Sequence, residues 1–364
     1  MKFEANREAF LDAINSVKDV AGSSLDILNN IKIETVGMDK VKVTATNLDI
    51  TVTSIVDCDV KEGGATTVRA KMISAMVGAM AVGTTVSFSY DNGCNRASLV
   101  GGDVRFNLAT LPINEFPKAA YFEGLEMTFK ETELKGLLKK TGYAASDDTT
   151  RRALQAVCFQ GKKGVLNVVA TDGRRLALCT KKDDSIGDFE MILPSATVKV
   201  ISRMLGGSGD VTITVKESSS ARFMTDKWMV QTKLVDDVYP NWRQVVPTYE
   251  MEHAYVDKER FSYALRQASI TSSADTARVN LTVKSGILVL KSMNDDETAT
   301  SDIMIPIKYE GEGADIILSS KYVADLLSAI DENDVSFNFT EGGRPITITA
   351  EGADAFGCIM PMRV

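Results

Sequence analysis

The sequence predicts an α+β protein built from three tandem copies of one domain. Two unrelated landmarks recur with the same step. Thr46 and Thr171 end similar strand-like runs 125 positions apart, and a helical pattern at residue 68 recurs at residues 193 and 318. Each copy combines two helical patterns with alternating apolar and polar runs, which favour antiparallel strands. Tandem copies with a regular step commonly stack into a solenoid or close into a ring.

Each copy begins with an amphipathic helix. Asn6 is a suitable N-cap because its side chain can accept a hydrogen bond from the first turn, and Asp257 has the same role in the third copy. In the second copy the helix covers residues 130–140. The side chains expected to face the core are Phe10, Leu11, Ile14 and Val17, then Leu134, Leu137 and Leu138, then Phe261, Ala264, Leu265 and Ala268.

A second helix follows in each copy, over residues 68–77, 193–201 and 318–327. Pro194 fits the start of the middle one, because the first helical turn leaves its N–H groups unpaired anyway.

Strand-like stretches close each copy, at residues 84–108, 211–234 and 335–359, with turns such as Asp91-Asn92-Gly93 and Gly342-Gly343 between them. The aromatic–proline pairs Phe116-Pro117 and Tyr239-Pro240 end the first two copies. We therefore place three domains at residues 1–119, 120–248 and 249–364.

The composition is that of a globular protein, with 44% hydrophobic and 25% charged residues. No apolar run is long enough to cross a membrane, and the N-terminus lacks an apolar signal segment, so we expect a cytoplasmic location. The five cysteines are dispersed without a Cys-x-x-Cys pair, which indicates reduced thiols that serve mostly as small core residues.

No motif indicates catalysis. His253 is the single histidine, which removes most catalytic triads and histidine metal sites from consideration. The Gly-Gly-Ser-Gly run at residues 206–209 lacks the Lys-Ser/Thr of a phosphate loop, and the acid clusters at residues 147–148 and 295–297 have no partner ligands. We predict a protein that is not an enzyme and that holds no metal and no cofactor.

Three copies, the turn Ala-Thr-Asp-Gly-Arg-Arg-Leu-Ala at residues 170–177 and the ending Met360-Pro361-Met362-Arg363 closely resemble the bacterial DNA sliding clamps, the beta subunits of DNA polymerase III. The similarity runs along the whole chain. It implies a head-to-tail homodimer that forms a six-domain ring, with helices around the hole and sheets outside. Such a ring holds double-stranded DNA topologically and tethers the replicative polymerase, which raises the effective polymerase concentration at the primer end. The clamp loader and other proteins with a clamp-binding motif are further implied partners.

The resemblance also implies a pocket for partner peptides between the second and third domains. Methionines suit such a pocket, because a flexible thioether can repack around different partner side chains. The implied residues are Arg151, Leu154, Thr171, Gly173, Arg174, Arg175, Leu176, Pro240, Gln244, Val245, Ser319, Tyr322, Pro345, Cys358, Ile359, Met360, Pro361, Met362 and Arg363.

Basic side chains on the repeated helices lie away from the apolar stripes. A clamp must slide, so these residues are expected to touch phosphates and no base edges, because backbone contacts carry no sequence information. The net charge of −8 would then arise on the outer surface. The expected DNA-facing residues are Arg7, Lys71, Lys135, Lys139, Arg152, Lys199, Arg203 and Lys321. At the ring seam, the resemblance implies Arg105, Phe106 and Leu108 of one subunit against a surface near Ile270 of the other.

Of two rival functions, one stays open at this point. A repeat-built enzyme would need paired acids or a nucleophile with a base at a domain interface, and the single histidine argues against it. A ring-shaped adaptor that binds proteins without DNA also fits the composition, and salt-dependent retention on DNA would distinguish it from a clamp.

Overall fold

The computed structural model describes residues 1–217, 219–273, 275–340 and 343–362. These residues form six α-helices and 24 β-strands, so the predicted α+β class is confirmed. The chain divides into two compact units, a first unit of Met1–Glu133 with Lys199–Leu234 and a second unit of Leu134–Val198 with Val235–Val364. The three-domain boundaries inferred from the repeat stay a prediction.

The elements follow the chain as three similar series. The first is β1 (Lys2–Asn6), α1 (Arg7–Lys18), β2 (Asn30–Val36), β3 (Lys40–Thr46), β4 (Ile50–Glu62), β5 (Ala65–Arg69), α2 (Ala70–Gly78), β6 (Thr85–Asp91), β7 (Arg96–Gly101) and β8 (Val104–Leu111). The second is β9 (Leu125–Lys130), α3 (Glu131–Gly142), β10 (Ala156–Lys162), β11 (Val165–Thr171), β12 (Arg175–Lys182), β13 (Phe189–Pro194), α4 (Ser195–Met204), β14 (Asp210–Lys216), β15 (Ser220–Met224) and β16 (Trp228–Lys233). The third is β17 (Glu252–Asp257), α5 (Lys258–Ile270), β18 (Arg278–Lys284), β19 (Ile287–Met293), β20 (Thr300–Pro306), β21 (Ala314–Ser319), α6 (Ser320–Ala329), β22 (Asp334–Phe339), β23 (Ile346–Thr349) and β24 (Ala355–Ile359).

The strands pair antiparallel throughout. The first unit holds a 12-stranded sheet in the order β1-β6-β7-β8-β5-β2-β3-β4-β16-β15-β14-β9. The second unit holds an eight-stranded sheet, β13-β10-β11-β12-β24-β23-β22-β17, and a four-stranded sheet, β20-β19-β18-β21.

The helices that open the first and third copies begin where the sequence predicts, and α3 begins at Glu131, one residue later than predicted. Asn6 accepts a hydrogen bond from the N–H of Ala9 (3.0 Å), and Asp257 accepts one from Arg260 (2.7 Å). The predicted apolar stripes are buried except for Leu11, which is half-buried. Aromatic contacts hold the first and third cores together, and the ring centroids are 5.5 Å apart for Phe3–Phe10, 5.1 Å for Phe3–Phe88 and 6.1 Å for Phe261–Phe337.

The second helix of each copy begins two residues later than predicted, at Ala70, Ser195 and Ser320. The residues before it complete a strand, because their backbone groups pair across a sheet: Val68 lies opposite Ile31, and Leu318 lies opposite Val279. The placement of Pro194 in the helix was wrong, since it ends β13 opposite Ala156. Gly342 of the predicted Gly-Gly turn lies outside the described residues.

Candidate peptide pocket and DNA-facing surface

Short-range hydrogen bonds fix the turn at residues 171–175. The Thr171 hydroxyl donates to the carbonyl of Arg175 (2.6 Å) and accepts from the N–H of Gly173 (3.1 Å). Asp172 Oδ1 accepts from the N–H groups of Arg174 and Arg175 at 2.8 and 2.9 Å. Gly173 has φ +86°, a left-handed conformation that glycine adopts without steric cost. The Asp-Gly turn read from the sequence is confirmed.

Arg175 connects this turn to helix α6. Its side chain is 9% exposed, with Nε 3.1 Å from Asp172 Oδ2 and an Nη atom 2.6 Å from Asp325 Oδ2. The guanidinium carbon also lies 4.4 Å from the ring centre of Tyr322 and 5.5 Å from that of Tyr143. Arg175 is therefore held on four sides, and its role is to position the turn and Tyr322.

Strand pairing brings the C-terminal tail beside the turn. In the pairing of β12 with β24, Leu176 lies opposite Cys358, and the Met360 N–H then donates to the carbonyl of Arg174 (2.8 Å). Farther on, the Met362 N–H donates to the carbonyl of Ile317 at 2.8 Å. The turn and tail thus form one continuous surface in the second unit. We call this surface, residues 171–176 with residues 358–362, the peptide pocket, after the role that the sequence predicts for it.

The floor of the peptide pocket is apolar. Leu176 and Cys358 are each 1% exposed and belong to a cluster that includes Tyr239 and Trp242. Burial raises the pKa of the Cys358 thiol to about 12, so at neutral pH the thiol is uncharged and serves as a small hydrophobic group.

Above this floor, several predicted pocket residues are exposed, and Val245 and Met360 are 40% and 39% exposed. A methyl group added at Gly173 would lie 3.6 Å from an Nη atom of Arg151, so Arg151 borders the turn. The exposed set is Arg151, Gly173, Arg174, Pro240, Gln244, Val245 and Met360. Tyr322, Pro345, Pro361 and Met362 are half-buried, whereas Leu154, Thr171, Leu176, Ser319, Cys358 and Ile359 are buried.

Some predicted pocket residues are held by other contacts. The Pro345 carbonyl accepts from the Tyr249 hydroxyl (3.2 Å), and Ser319 lies opposite Arg278 in the four-stranded sheet. Arg363 lies outside the described residues.

Sequence reasoning missed Tyr143, Asp325 and Trp242. Burial raises the pKa of Tyr143 far above its ordinary value, and its ring packs against Arg175. Asp325 lies one helical turn after Tyr322, which places both on one face of α6. That spacing was a usable signal for Asp325, whereas nothing local marks Tyr143.

The expected DNA-facing cations fall into three groups. Lys71, Lys135, Arg152, Lys199 and Lys321 are exposed. Lys139 and Arg203 are also exposed but pair with Asp331 (2.9 Å) and Asp19 (2.6 Å), and both partners in each pair are more than half exposed. Pairs this exposed contribute little free energy, so a phosphate can compete for the cation.

Arg7 does not fit its expected role. Its side chain is 13% exposed, and its guanidinium donates to the carbonyls of Val77 (3.1 Å) and Gly78 (2.6 Å). These carbonyls end α2, where the helix leaves acceptors unpaired and the dipole favours a cation. Arg7 is therefore a capping residue of α2.

Two lysines occupy equivalent grooves in the first and third copies. Lys71 lines a cavity of about 630 Å³ with Lys18 beside α1 and α2. Lys321 lines one of about 460 Å³ with Arg266 beside α5 and α6. Within the described residues neither lysine forms an ion pair, so both charges are available to an anion.

The predicted seam residues lie at or near strands with open edges. β20 is an edge strand of its sheet, and β8 pairs with β5 only at Leu111 and Thr110, which leaves 104–109 without a second neighbour among the described residues. Arg105 is exposed, Phe106 is half-buried, and Leu108 points into its own core at 7% exposure. Ile270, at the end of α5, is 82% exposed.

Within the described residues, no group of three or more His, Cys, Asp or Glu side chains could hold a metal ion. None of the described helices has the length and apolar character needed to span a membrane.

Three profiles of the DNA polymerase III beta subunit match the chain in order. The N-terminal domain matches residues 1–120, the central domain residues 128–241 and the C-terminal domain residues 243–363. The chain belongs to the DNA polymerase III beta subunit family. The resemblance read from the sequence is thereby confirmed.

Relatives and solved structures agree with this family over their full lengths. The beta sliding clamps of Escherichia coli K12 and Proteus mirabilis are 28% and 27% identical to the chain, and each similarity covers 100% of this chain and 100% of the relative. The crystal structure of a DnaN sliding clamp from Bartonella birtlesii is 27% identical, covers 100% of both chains and has a TM-score of 0.93. A Caulobacter crescentus beta sliding clamp is 25% identical, covers 100% of this chain and 99% of its own, and also has a TM-score of 0.93.

Proposed function

We propose that two copies of this chain assemble head to tail into a closed ring of six domains that encircles double-stranded DNA without reading its sequence. The peptide pocket tethers the replicative polymerase, the clamp loader and other proteins that carry a clamp-binding motif. The ring makes and breaks no covalent bond, and its effect is to keep the polymerase near the primer end. We place the domains at residues 1–119, 120–248 and 249–364 and the protein in the cytoplasm.

The observation that carries the ring is a strand pairing that occurs twice. Ile50 of β4 lies opposite Thr232 of β16, and Arg175 of β12 lies opposite Ile359 of β24. The strands β4, β12 and β20 hold the same place in the three copies, and so do β8, β16 and β24. Because β4 pairs with β16 and β12 pairs with β24, the strands left without such a partner in the described part of the chain are β20 and β8. Both have open edges among the described residues, as a pairing between two chains requires.

The repeat also gives the register of this pairing. Thr300 lies 125 positions after Arg175, as Arg175 lies after Ile50, and Ala109 and Thr232 each lie seven residues before the aromatic–proline pairs Phe116-Pro117 and Tyr239-Pro240. Thr300 and Ala109 should therefore lie opposite each other. Phe106 then faces Ile303, which adds an apolar pair to the seam. Thr300 and Ala109 are both exposed, and Phe106 and Ile303 are half-buried.

DNA binding is supported by the exposed lysines of the repeated helices. Lys71 and Lys321 lie in equivalent grooves without ion-pair partners among the described residues. Unpaired lysines attract any phosphate backbone, and this attraction weakens as the salt concentration rises. Binding of this kind does not depend on sequence, which suits a protein that slides.

Paired cysteines test the seam. Ala109→Cys combined with Thr300→Cys should give a covalent dimer on oxidation, because the predicted register places the two Cβ atoms within disulfide reach. Ala109→Cys with Asp302→Cys is the matched control, shifted by two residues along the same face, and it should cross-link poorly. Equal cross-linking of both pairs, or a monomer in sedimentation, would contradict the proposed seam.

A primer-extension assay tests the tethering. On a singly primed circle with limiting cognate polymerase, clamp loader and ATP, the wild-type chain should convert short products into long ones. Met360→Lys, a change at an exposed pocket position, should keep the dimer but lose most long products. If adding the wild-type chain does not change the product lengths, the tethering role is refuted.

A further inference from the structure

The chain contains a second copy of the turn that shapes the peptide pocket. The Thr46 hydroxyl donates to the carbonyl of Ile50 (3.1 Å) and accepts from the N–H of Leu48 (3.1 Å), as Thr171 does in the pocket. Asn47 Oδ1 accepts from the N–H groups of Asp49 and Ile50 at 3.1 and 2.8 Å, as Asp172 does. Leu48 has φ +76°, close to the value at Gly173. These four hydrogen bonds of the turn are therefore reproduced, whereas the ion pair of Arg175 with Asp172 is not, because Ile50 stands at the position of Arg175.

The strand that completes the pocket is reproduced as well. β16 pairs with β4 as β24 pairs with β12, so Gln231 lies opposite Thr51 where Cys358 lies opposite Leu176. The Lys233 N–H donates to the carbonyl of Asp49 at 2.9 Å, the counterpart of the bond from Met360 to Arg174. We call residues 46–51 with residues 231–233 the first-copy frame. Over these residues its backbone hydrogen bonds match those of the peptide pocket.

The side chains of the first-copy frame are polar where those of the peptide pocket are apolar. Thr51 and Gln231 replace the buried Leu176 and Cys358 at the floor. The Gln231 amide donates to the carbonyl of Ala120 (3.1 Å), and the Thr51 hydroxyl is 2.8 Å from that of Thr46. The remaining cavity is about 190 Å³.

The rim differs in charge. Lys233 occupies the position of Met360, and its ammonium forms an ion pair with Asp49 at 2.9 Å. Leu48 occupies the position of Gly173, so a side chain stands where the pocket turn has none. An apolar anchor entering here would have to break the polar contacts of Thr51 and Gln231 without replacing them, which is unfavourable.

We infer that Thr51, Gln231, Lys233 and Asp49 exclude partner peptides from the first-copy frame, so that each chain takes one peptide although its backbone offers two sites. Selectivity within one chain is then achieved by polar groups that reject the wrong placement. This inference rests on the proposed function of the peptide pocket.

Isothermal titration tests it, with a synthetic peptide of the clamp-binding segment of the cognate replicative polymerase as the probe. The wild-type chain should bind one peptide. Exchanging the exposed rim of the pocket for that of the first copy, Arg174→Asp with Met360→Lys, should weaken binding at least tenfold. The reverse exchange, Leu48→Gly, Asp49→Arg, Thr51→Leu, Gln231→Cys and Lys233→Met, should raise the stoichiometry to two per chain.

Two peptides per wild-type chain would overturn the inference, as would a folded reverse-exchange variant that still binds one. If that variant does not fold, the exposed pair alone, Asp49→Arg with Lys233→Met, must add detectable weak binding, because both side chains are more than 60% exposed and tolerate change. No peptide bound by a folded wild-type dimer would instead refute the proposed pocket, so the two failures are distinguishable.

Discussion

Replacing Arg175 tests whether one buried cation holds the peptide pocket together. Arg175→Met keeps much of the apolar stem but removes the ion pairs with Asp172 and Asp325 and the contact with Tyr322. Breaking a buried pair by removing one partner costs about 3–5 kcal/mol. Asp172 is 12% exposed but keeps two backbone N–H donors, which places the expected loss near the lower end of that range.

The assay is urea unfolding followed by tryptophan fluorescence. Trp242 packs in the apolar cluster with Leu176, and the chain has 2 tryptophans, so a Trp228→Phe background makes the signal specific for the second unit. Arg175→Met should lower the unfolding free energy by about 3 kcal/mol at an unchanged m-value. Lys139→Met is the matched control, because its ion pair is more than half exposed and should contribute less than about 1 kcal/mol. Equal losses in the two variants would refute the reasoning.

Three further predictions concern the core, the thiols and acid stability. Phe3→Ala should lower the unfolding free energy by about 3–5 kcal/mol in urea melts, because Phe3 is 0% exposed; a loss below about 1 kcal/mol would contradict its placement. Cys94 is the exposed cysteine, so a thiol reagent should modify one thiol rapidly in the native protein, and Cys94→Ser should abolish this phase. Hydrogen bonds from Ser185 and Lys181 lower the pKa of Asp183 from 3.8 to about 2, so its contribution to stability is present above about pH 4 and lost as pH falls through about 2. An NMR titration should show this midpoint, and Ser185→Ala should raise it; an unchanged midpoint would refute the assignment.

Helix starts could be predicted only where a capping residue marks them. Asn6 and Asp257 were identified correctly because their short polar side chains satisfy N–H groups of the first turn. Val68, Leu193 and Leu318 were assigned to helices although each is the penultimate residue of a strand, because a short apolar run has no period that separates a buried strand from a helix. Pairing with a distant strand decided these positions, and that pairing is not visible in local sequence.

The turn of the predicted pocket was accessible from the sequence, whereas the side chains that support this turn were not. The turn at residues 171–175 has local turn chemistry and was therefore accessible from sequence. The tail at residues 358–362 was named only through the family resemblance. The contact between Arg175 and Asp325 joins residues 150 positions apart, and no local pattern signals such a pair. Arg7 was assigned to DNA because its charge is visible in the sequence, whereas its capping of α2 depends on the packing of α1 against α2.

The most direct test of the account is retention on circular and linear DNA after loading with a cognate clamp loader and ATP. A closed ring should stay on intact circles through washes at high salt, because topology is not screened, and should be lost when the circle is cut. Equal loss from circles and linear DNA, with a confirmed dimer and an active loader, would contradict topological holding and favour an adaptor that binds proteins without DNA.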